Sequence, residues 1–572
     1  MTEENDQTRE FNLIDEAWIP VIDKEGSPRE VSIREALLKA HEYRDLGGEL
    51  ATTRFAIARL LLAIIYRALD TDRLANRWEE DPKEIWEELW HAEMLPSEPI
   101  QQYLDEHAPR FNLTDATKPF MQVTNLETAK GEWRPVDLIM ADVDVDRPLF
   151  TMRSQVETMT LPEAARWLVH ANAYDYSGIK SGVIGDERVK NGKSYPMGVG
   201  WCGWLGGVLL TGTDLRETLL LNYVSDRPEI DDKDVPIWEQ PPLQPRERKT
   251  SEIGSVGPIA LMTWPQRRFR LKFNDDVVDG VLVSNGDALD YTIQHQTELM
   301  SGWRFSQPQS QKAKSVRYMP QTWTPGRSLW RGLGTLLPYG DQAKLPEKIT
   351  KRWNVTAAAL PPANIKWLKD LVDDEILPPE YVVEVTTVGV EYGAQMASFA
   401  EVISDRLGFA AALADTAKYA DLLQVAQAAV TNAEAAVRAV GGFARDLDKA
   451  SGGSGDDVAE DPQANLYAHL DQVYRQWLLR ITPGCDGLGL LSTWKEIVRR
   501  LAREEVDAML QTVSPSAWTG RINSVTGRPV SVATALRTFE YQIRTALGDS
   551  PAHQDRRTET PSNQDRQEVA HD

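Results

Sequence analysis

The residue types and spacings best suited to chemistry lie in two short segments, 176–182 (YSGIKSG) and 392–398 (YGAQMAS), referred to below as the glycine loop and the amide turn. Glycine has no Cβ and tolerates positive φ, so each segment can bring backbone N–H groups close to a ligand. The glycine loop adds one cation, Lys180, and the amide turn adds one amide, Gln395. Such donors favour recognition of an acidic, acceptor-rich partner, although either segment alone is also compatible with an ordinary turn.

Duplex DNA is one such partner, because its minor groove presents chiefly hydrogen-bond acceptors. Small residues such as Ser177 and Gly178 can enter that narrow groove and read it with relaxed specificity. Gln395 follows a Gly-Ala pair on a predicted tight turn, which would project its amide outwards as a wedge where a base pair opens. The candidate DNA-contacting residues are Ser177, Gly178, Lys180, Gly393, Ala394, Gln395 and Met396.

No motif for catalysis or metal binding is recognisable. The eight histidines are scattered, without an HExxH, HxH or HD pattern. Residues 192–194 (GKS) resemble the end of a P-loop, but Glu187 stands where that motif requires glycine. Cys202 and Cys485 form no CxxC pair, so we expect no metal and no cofactor. The sequence favours a non-enzymatic role. The alternatives are a nucleic-acid-processing enzyme with an unrecognised metal-dependent site, and a scaffold that never touches DNA.

The charge of the chain is unevenly distributed. Its net charge of −23 argues against extensive contact with phosphates. Residues 301–352, the basic window, run the other way, with ten Lys or Arg residues against Asp341 and Glu347. Either this window is a solvated basic loop, or it tracks a phosphate backbone. Its possible phosphate contacts are Arg304, Lys312, Lys314 and Arg317.

The elements that must position these segments are of two kinds. Residues 51–69 predict a buried helix, and residues 162–171 predict a helix that runs into the glycine loop. Between about 205 and 395, short apolar runs are broken by Pro, Gly and Asp, which is typical of irregular α+β structure. Past Ser398 the pattern changes to four segments with apolar residues at spacings of four and three, as packed helices require.

We therefore predict an α+β protein with a large irregular N-terminal α/β domain followed by a C-terminal four-helix bundle. The expected boundaries are a disordered N-terminus (1–10), the α+β domain (11–397), the bundle (398–549) and a disordered tail (550–572). The first bundle helix is expected to end at Gly441-Gly442. Residues expected in the bundle core are Leu423, Val473, Leu501 and Ile543.

The cellular compartment can also be predicted from composition. No run of about 18 uncharged apolar residues occurs, so no membrane span is expected. The N-terminus is acidic and polar, unlike a secretory signal, and two cysteines suit a reducing compartment. We expect a cytoplasmic protein.

Four blocks occur in an order that resembles one known family. They are 11–21 (FNLIDEAWIPV), 119–122 (PFMQ), 178–182 (GIKSG) and 213–222 (TDLRETLLLN). Together with the predicted bundle, they make roughly residues 11–548 similar to the CasA family, the large subunit of the type I-E CRISPR Cascade surveillance complex.

The resemblance implies a non-enzymatic subunit that recognises the protospacer-adjacent motif (PAM) on duplex DNA through residues 11–397. It also implies strand opening, R-loop formation and recruitment of a separate helicase-nuclease, with crRNA-bound Cascade subunits and target duplex DNA as the other partners. Ser177 and Gly178 match the loop that faces the PAM minor groove in the family, and Gln395 matches its glutamine wedge. Phe150, Thr151 and Met152 match a loop that contacts the crRNA 5′ end and neighbouring subunits.

One departure from the family concerns a lysine that relatives place in the PAM groove. The corresponding position, counted back from Trp303, is Gln294, which is not basic. Either the correspondence slips here, or another cation such as Lys272 or Arg304 takes that role. Some relatives also carry cysteine clusters suited to zinc, which this chain lacks.

Overall fold

The computed structural model describes residues 9–76, 81–142, 156–227, 233–253, 256–338, 344–522 and 527–548. The chain divides into two compact units, Met1–Lys418 and Tyr419–Asp572. Nearly all of the two ends predicted to be disordered lies outside the described residues. No helix within the described ranges is long and apolar enough to cross a membrane.

The first unit mixes helices with small antiparallel sheets. Its strands are β1 (Ile19–Asp23), β2 (Pro28–Val31), β3 (Tyr43–Leu46), β4 (Met159–Thr160), β5 (Lys180–Ser181), β6 (Lys193–Ser194), β7 (Gly207–Thr211), β8 (Arg267–Asn274), β9 (Val277–Asn285), β10 (Trp303–Phe305), β11 (Tyr318–Pro320), β12 (Ala359–Leu360), β13 (Val382–Tyr392) and β14 (Phe399–Ala410). The three-stranded sheets have the orders β2-β1-β3, β4-β9-β8, β11-β10-β12 and β14-β13-β7, while β5 pairs with β6.

Helices surround these sheets. They are α1 (Ile33–Leu38), α2 (Ala51–Asn76), α3 (Pro82–His91), α4 (Ser97–His107), α5 (Leu161–Tyr174), α6 (Leu215–Asn222), α7 (Thr250–Ile253), α8 (Pro258–Met262), α9 (Gln307–Ala313), α10 (Leu333–Leu336), α11 (Glu347–Trp353) and α12 (Ala363–Asp373). The predicted helices over 51–69 and 162–171 are confirmed as parts of α2 and α5.

Helix α2 is the centre of the first unit's core. Residues 52–66 are buried all round, and the helix packs against α4, α5 and α8. Arg59 is buried within it and pairs with Glu298, whose Oε1 lies 2.7 Å from the guanidinium Nη1. The same carboxylate accepts a hydrogen bond from Trp201 Nε1 at 2.7 Å. Because a buried charge is tolerated only when it is paired, this network fixes how α2 packs against the segments around residues 201 and 298.

Strands β13 and β14 form a long antiparallel hairpin that carries the amide turn. Their register runs from Val382 opposite Ala410 to Tyr392 opposite Phe399. Strand β7 pairs only with the first half of β13, from Glu384 to Val388. The second half of the hairpin therefore extends past the three-stranded sheet and ends in the amide turn.

The second unit is mainly helical. It contains α13 (Ala420–Ser451), α14 (Glu460–Leu478), α15 (Gly487–Thr512), α16 (Pro515–Thr519), α17 (Val532–Leu547) and the short strands β15 (Arg521–Ile522) and β16 (Pro529–Val530). Helix α13 packs against α14, α15 and α17. Of the residues expected in the core, Leu423, Leu501 and Ile543 are buried. Val473 is only half-buried; Tyr474 holds the inner position and donates its hydroxyl to the Ala426 carbonyl at 3.1 Å.

Two predicted limits in this region differ from the structure. The first helix does not end at Gly441-Gly442 but continues to Ser451, and Gly441 is needed where an added Cβ would collide with the Gln463 side-chain amide. The second unit begins at Tyr419 rather than at Ser398. Residues 399–410 form β14, which hydrogen-bonds to β13 along its length and so belongs to the first unit.

Candidate nucleic-acid interface

The amide turn is a strained tip with exposed side chains. Gly393 N–H donates to the Ser398 carbonyl at 2.9 Å, and Met396 N–H donates to the Gly393 carbonyl at 2.9 Å. Gln395 and Met396 both have φ of 56°, a left-handed conformation that non-glycine residues rarely adopt. Ala394, Gln395 and Met396 are exposed. The hairpin thus presents the Gln395 amide to solvent, on a backbone whose strain indicates function.

The glycine loop begins where α5 ends, and it contacts the amide turn directly. Ser177 N–H donates to the Met396 carbonyl at 2.7 Å, and Ser177 Oγ accepts from Gly198 N–H at 3.2 Å. Ser177 and Gly178 are both buried, whereas Ile179 between Gly178 and Lys180 is 56% exposed. The structure therefore brings together two segments that lie more than 200 residues apart in the chain.

Lys180 does not occupy the exposed position expected of a cation that contacts DNA. Its side chain is 2% exposed, and its Nζ lies 2.7 Å from the Asp175 carboxylate and 3.7 Å from the centre of the Tyr176 ring. Burial lowers the pKa of the Lys180 ammonium, and Asp175 opposes that shift. The expectation that Lys180 offers its charge to an acidic partner is corrected: the charge is used inside the protein, to hold the glycine loop on Asp175.

Arg267, on β8, completes this buried cluster. Its Nε lies 2.5 Å from Asp175 Oδ2, and its Nη2 donates to the carbonyls of Tyr176 at 3.0 Å and Gly198 at 2.7 Å. One arginine therefore fixes the loop's backbone on two sides. We call Asp175, Lys180 and Arg267 the loop cluster.

A second clamp holds the base of the amide turn. The Tyr392 hydroxyl donates to the Tyr174 carbonyl at 2.6 Å, which attaches the end of β13 to the end of α5. Sequence reasoning missed Asp175, Arg267 and Tyr392 as positioning residues. Asp175 and Tyr392 border the two segments and could have been noted, but Arg267 lies 85 residues past the glycine loop and nothing in its local pattern signals the contact.

The basic window is not a plain loop, because it contains β10, α9, β11, α10 and α11. Arg304, Lys312 and Lys314 are exposed, and no carboxylate in the described ranges lies within ion-pair distance of these three side chains. Arg317 is half-buried. We call Lys312, Lys314 and Arg317, on α9 and just after it, the α9 cations. Trp323 attaches the window to β7, donating Nε1–H to the Gly207 carbonyl at 3.1 Å.

The three residues considered for the family's groove lysine have different environments. Gln294 is buried and accepts a hydrogen bond from Thr297 Oγ1 at 2.7 Å, so it presents nothing to a ligand. Lys272 pairs with Asp279 at 3.0 Å. Arg304 is exposed on β10 with no such pair in the described residues. Phe150, Thr151 and Met152 lie outside the described residues.

Metal-ligand chemistry has no candidate in the described part of the chain, where no group of three or more His, Cys, Asp or Glu residues could hold an ion. Cys202 is buried, and burial raises the pKa of its thiol to about 12. A thiol with so high a pKa is almost entirely protonated at neutral pH and is a poor nucleophile.

Comparisons with known proteins agree on one family. The family model for CRISPR-associated protein Cse1 matches residues 12–504. The crystal structure of Thermobifida fusca Cse1 is 36% identical with a TM-score of 0.84, covering 94% of this chain and 98% of that one. Thermus thermophilus CasA/Cse1 is 34% identical over 276 residues, 47% of this chain and 50% of that protein, so the match spans about half the length of this curated relative.

A more distant structure shares the fold. A chain described as a CRISPR RNA-guided surveillance complex is 17% identical with a TM-score of 0.66, covering 94% of this chain and 99% of that one. The family model extends over most of the sequence and includes the glycine loop, the amide turn and most of the second unit. This chain therefore belongs to the CRISPR-associated protein Cse1 family.

Proposed function

We propose that this protein is the large subunit of a type I-E crRNA-guided surveillance complex, in which it recognises the PAM on duplex DNA and promotes strand opening and R-loop formation. The observation that carries the proposal is the 2.7 Å hydrogen bond from Ser177 N–H to the Met396 carbonyl. That bond joins the glycine loop and the amide turn into one surface. A duplex bound at the first segment would lie against the second, which is what coupling of recognition to opening requires.

Within this surface the roles divide by exposure. Ala394, Gln395 and Met396, with Ile179, are exposed and form the rim that meets the minor groove. Ser177 and Gly178 are buried and set the spacing between the two segments, so the groove contact assigned to them passes through the backbone that they shape. Gln395 acts as the wedge, offsetting part of the few kcal/mol that unstacking one base step costs.

Phosphate contacts come from the basic window. The chain's net charge of −23 repels DNA at long range, so binding needs local cations. Arg304 and the α9 cations supply them. Arg304 also takes the role of the family's groove lysine, because Gln294 is buried and Lys272 already has an acidic partner.

The partners follow from the same proposal. Guide pairing reads the target sequence while protein reads a short duplex tag, so this subunit works with crRNA-bound Cascade subunits and a PAM-containing duplex. A separate helicase-nuclease then degrades the target, and the protein itself is not an enzyme. The likeness to the surveillance-complex chain supports this assembly at the level of fold. Residues 150–152 as a crRNA contact, the second unit as a four-helix bundle and a cytoplasmic location belong to the same proposal.

The test compares reconstituted complexes with and without this subunit on duplexes with and without a PAM. Gel shifts measure occupancy, and permanganate footprinting measures opening of the first base pairs. We expect the subunit to be needed for PAM-dependent binding. Unchanged binding without it would indicate a scaffold that never touches DNA, and metal-dependent turnover by the purified chain would indicate an enzyme.

Two variants isolate the wedge. Gln395→Ala and Gln395→Gly both remove the amide, but glycine also relieves the left-handed backbone at φ 56°. Loss of opening by both variants at equal occupancy would assign the effect to the amide rather than to a distorted turn. A target already mismatched at its first pairs should regain most binding. Wild-type opening by both variants would refute the wedge.

A further inference from the structure

A cavity of about 270 Å³ lies in the first unit, and none of its lining residues belongs to the glycine loop or the amide turn. Its volume is close to the lower limit, about 300 Å³, of pockets that hold small organic ligands. Trp303 and Trp367 contribute aromatic walls, and Leu299, Leu360 and Pro361 add apolar surface. The cavity is therefore suited to a flat, largely apolar body.

Three ring nitrogens on its lining residues have no partner. Trp303 Nε1, Trp367 Nε1 and His295 Nδ1 are buried and make no hydrogen bond. Both tryptophans are 2% exposed. A buried donor without an acceptor is unfavourable and uncommon in a folded protein, and an indole N–H can only donate. Convergence of such groups on one cavity indicates a ligand that brings acceptors with it.

The protein's own nearby carboxylate cannot supply those acceptors. Glu298 also lines the cavity, but its oxygens already accept from the Arg59 guanidinium, Trp201 Nε1 and Met300 N–H. Burial, and next the charge of Arg317, lower the pKa of His295, so this imidazole is neutral at physiological pH. No unpaired charge therefore lies inside the cavity to attract a charged ligand.

The mouth of the cavity selects against phosphate. Asp226 and Lys366 are exposed lining residues, and Asp370, half-buried, lines it as well. Two carboxylates against one ammonium give this rim a net negative charge, which repels an anion. The ligand that fits is neutral, aromatic and rich in acceptors.

We propose that this cavity binds a neutral planar heteroaromatic ring with acceptor atoms at its edge, of nucleobase or nucleoside size. The ring lies among Trp303, Trp367 and His295, and its edge accepts from the two indole N–H groups. This site is separate from the DNA-contacting surface and does not rest on the function proposed for it.

The experiment titrates the full chain with adenosine, guanosine, cytidine and thymidine by calorimetry and ligand-observed NMR. Trp303→Phe and Trp367→Phe each delete one donor without breaking any hydrogen bond within the protein. Trp167→Phe is the matched control, since its Nε1 is also buried and unpartnered but Trp167 does not line the cavity. Ala363→Leu fills the cavity from its wall and provides an independent variant.

We expect saturable binding of at least one nucleoside. Each of the two cavity tryptophan variants should bind about tenfold more weakly, equivalent to about 1.4 kcal/mol. Trp167→Phe should bind like wild type, Ala363→Leu should lose binding, and the 5′-monophosphates should bind more weakly than the nucleosides.

Four outcomes would overturn the proposal. They are no saturable binding of any nucleoside at millimolar concentration, unchanged affinity in both cavity tryptophan variants, tighter binding of the monophosphates, and equally tight binding of toluene, which has the aromatic body but no acceptors. Melting temperatures of all variants, measured in parallel, separate loss of the ligand site from loss of the fold.

Discussion

The loop cluster predicts that two substitutions five residues apart have very different consequences. Asp175→Asn leaves Lys180 and Arg267 facing a neutral amide, at a place where the three side chains are 1–3% exposed. Lys180→Met removes one cation and leaves Asp175 paired with Arg267 at 2.5 Å. The first substitution leaves uncompensated buried charge, whereas the second leaves a balanced pair.

The magnitudes follow from this difference. Removing one partner of a buried ion pair typically costs about 3–5 kcal/mol, because the remaining charge stays buried without compensation. Asp175→Asn should fall in that range, since it leaves two such cations. Methionine has nearly the length of lysine and needs no desolvation of a charge, so Lys180→Met should lie within about 1 kcal/mol of wild type.

The assay follows the glycine loop itself, because a chain of two compact units need not unfold in a single transition. Amide hydrogen exchange over residues 176–182 should accelerate in Asp175→Asn and stay close to wild type in Lys180→Met. In the assembled complex, Lys180→Met should also keep the wild-type salt dependence of DNA binding. A salt slope reduced by about 0.9 would show that Lys180 contacts a phosphate, and wild-type protection in Asp175→Asn would show that the cluster does not hold the loop.

Three further outcomes are expected. Reversing the three α9 cations to Glu should weaken duplex binding about equally for all sequences and make its salt dependence shallower; an effect on one PAM only would contradict backbone contact. Leu501→Ala should cost about 2–3 kcal/mol in the second unit, at the low end for leucine because Leu501 is 9% exposed, while Leu488→Ala, at 79% exposure, should cost almost nothing. Burial lowers the pKa of His170 to about 3, so protons bind the unfolded chain first and stability is lost as pH falls from about 6.5 towards 3, by about 1.4 kcal/mol per pH unit. His170→Phe should flatten the pH dependence of denaturant unfolding between pH 6 and 5, and parallel curves would contradict this.

The local pattern of the chain was enough to predict several elements. The apolar residues of 51–69 and 162–171 recur with helical spacing, and they form α2 and α5. Residues 399–410 were assigned to the helical region, although their alternation of exposed and half-buried positions is that of a strand. The assignment was wrong because β14 is stabilised by pairing with β13, which precedes it in the chain, rather than by any helical face.

The sequence by itself determined which residues are suited to recognition: the glycines that permit close approach, the Gln395 amide and the excess of cations in 301–352. Tertiary structure decided what those residues can reach. It placed Ser177 against Met396, turned Lys180 inwards onto Asp175 and brought Arg267 to the loop's backbone. The physical reason is that the exposure and charge partner of a side chain depend on packing between distant segments, whereas helical spacing and glycine turns are encoded within a few neighbouring residues.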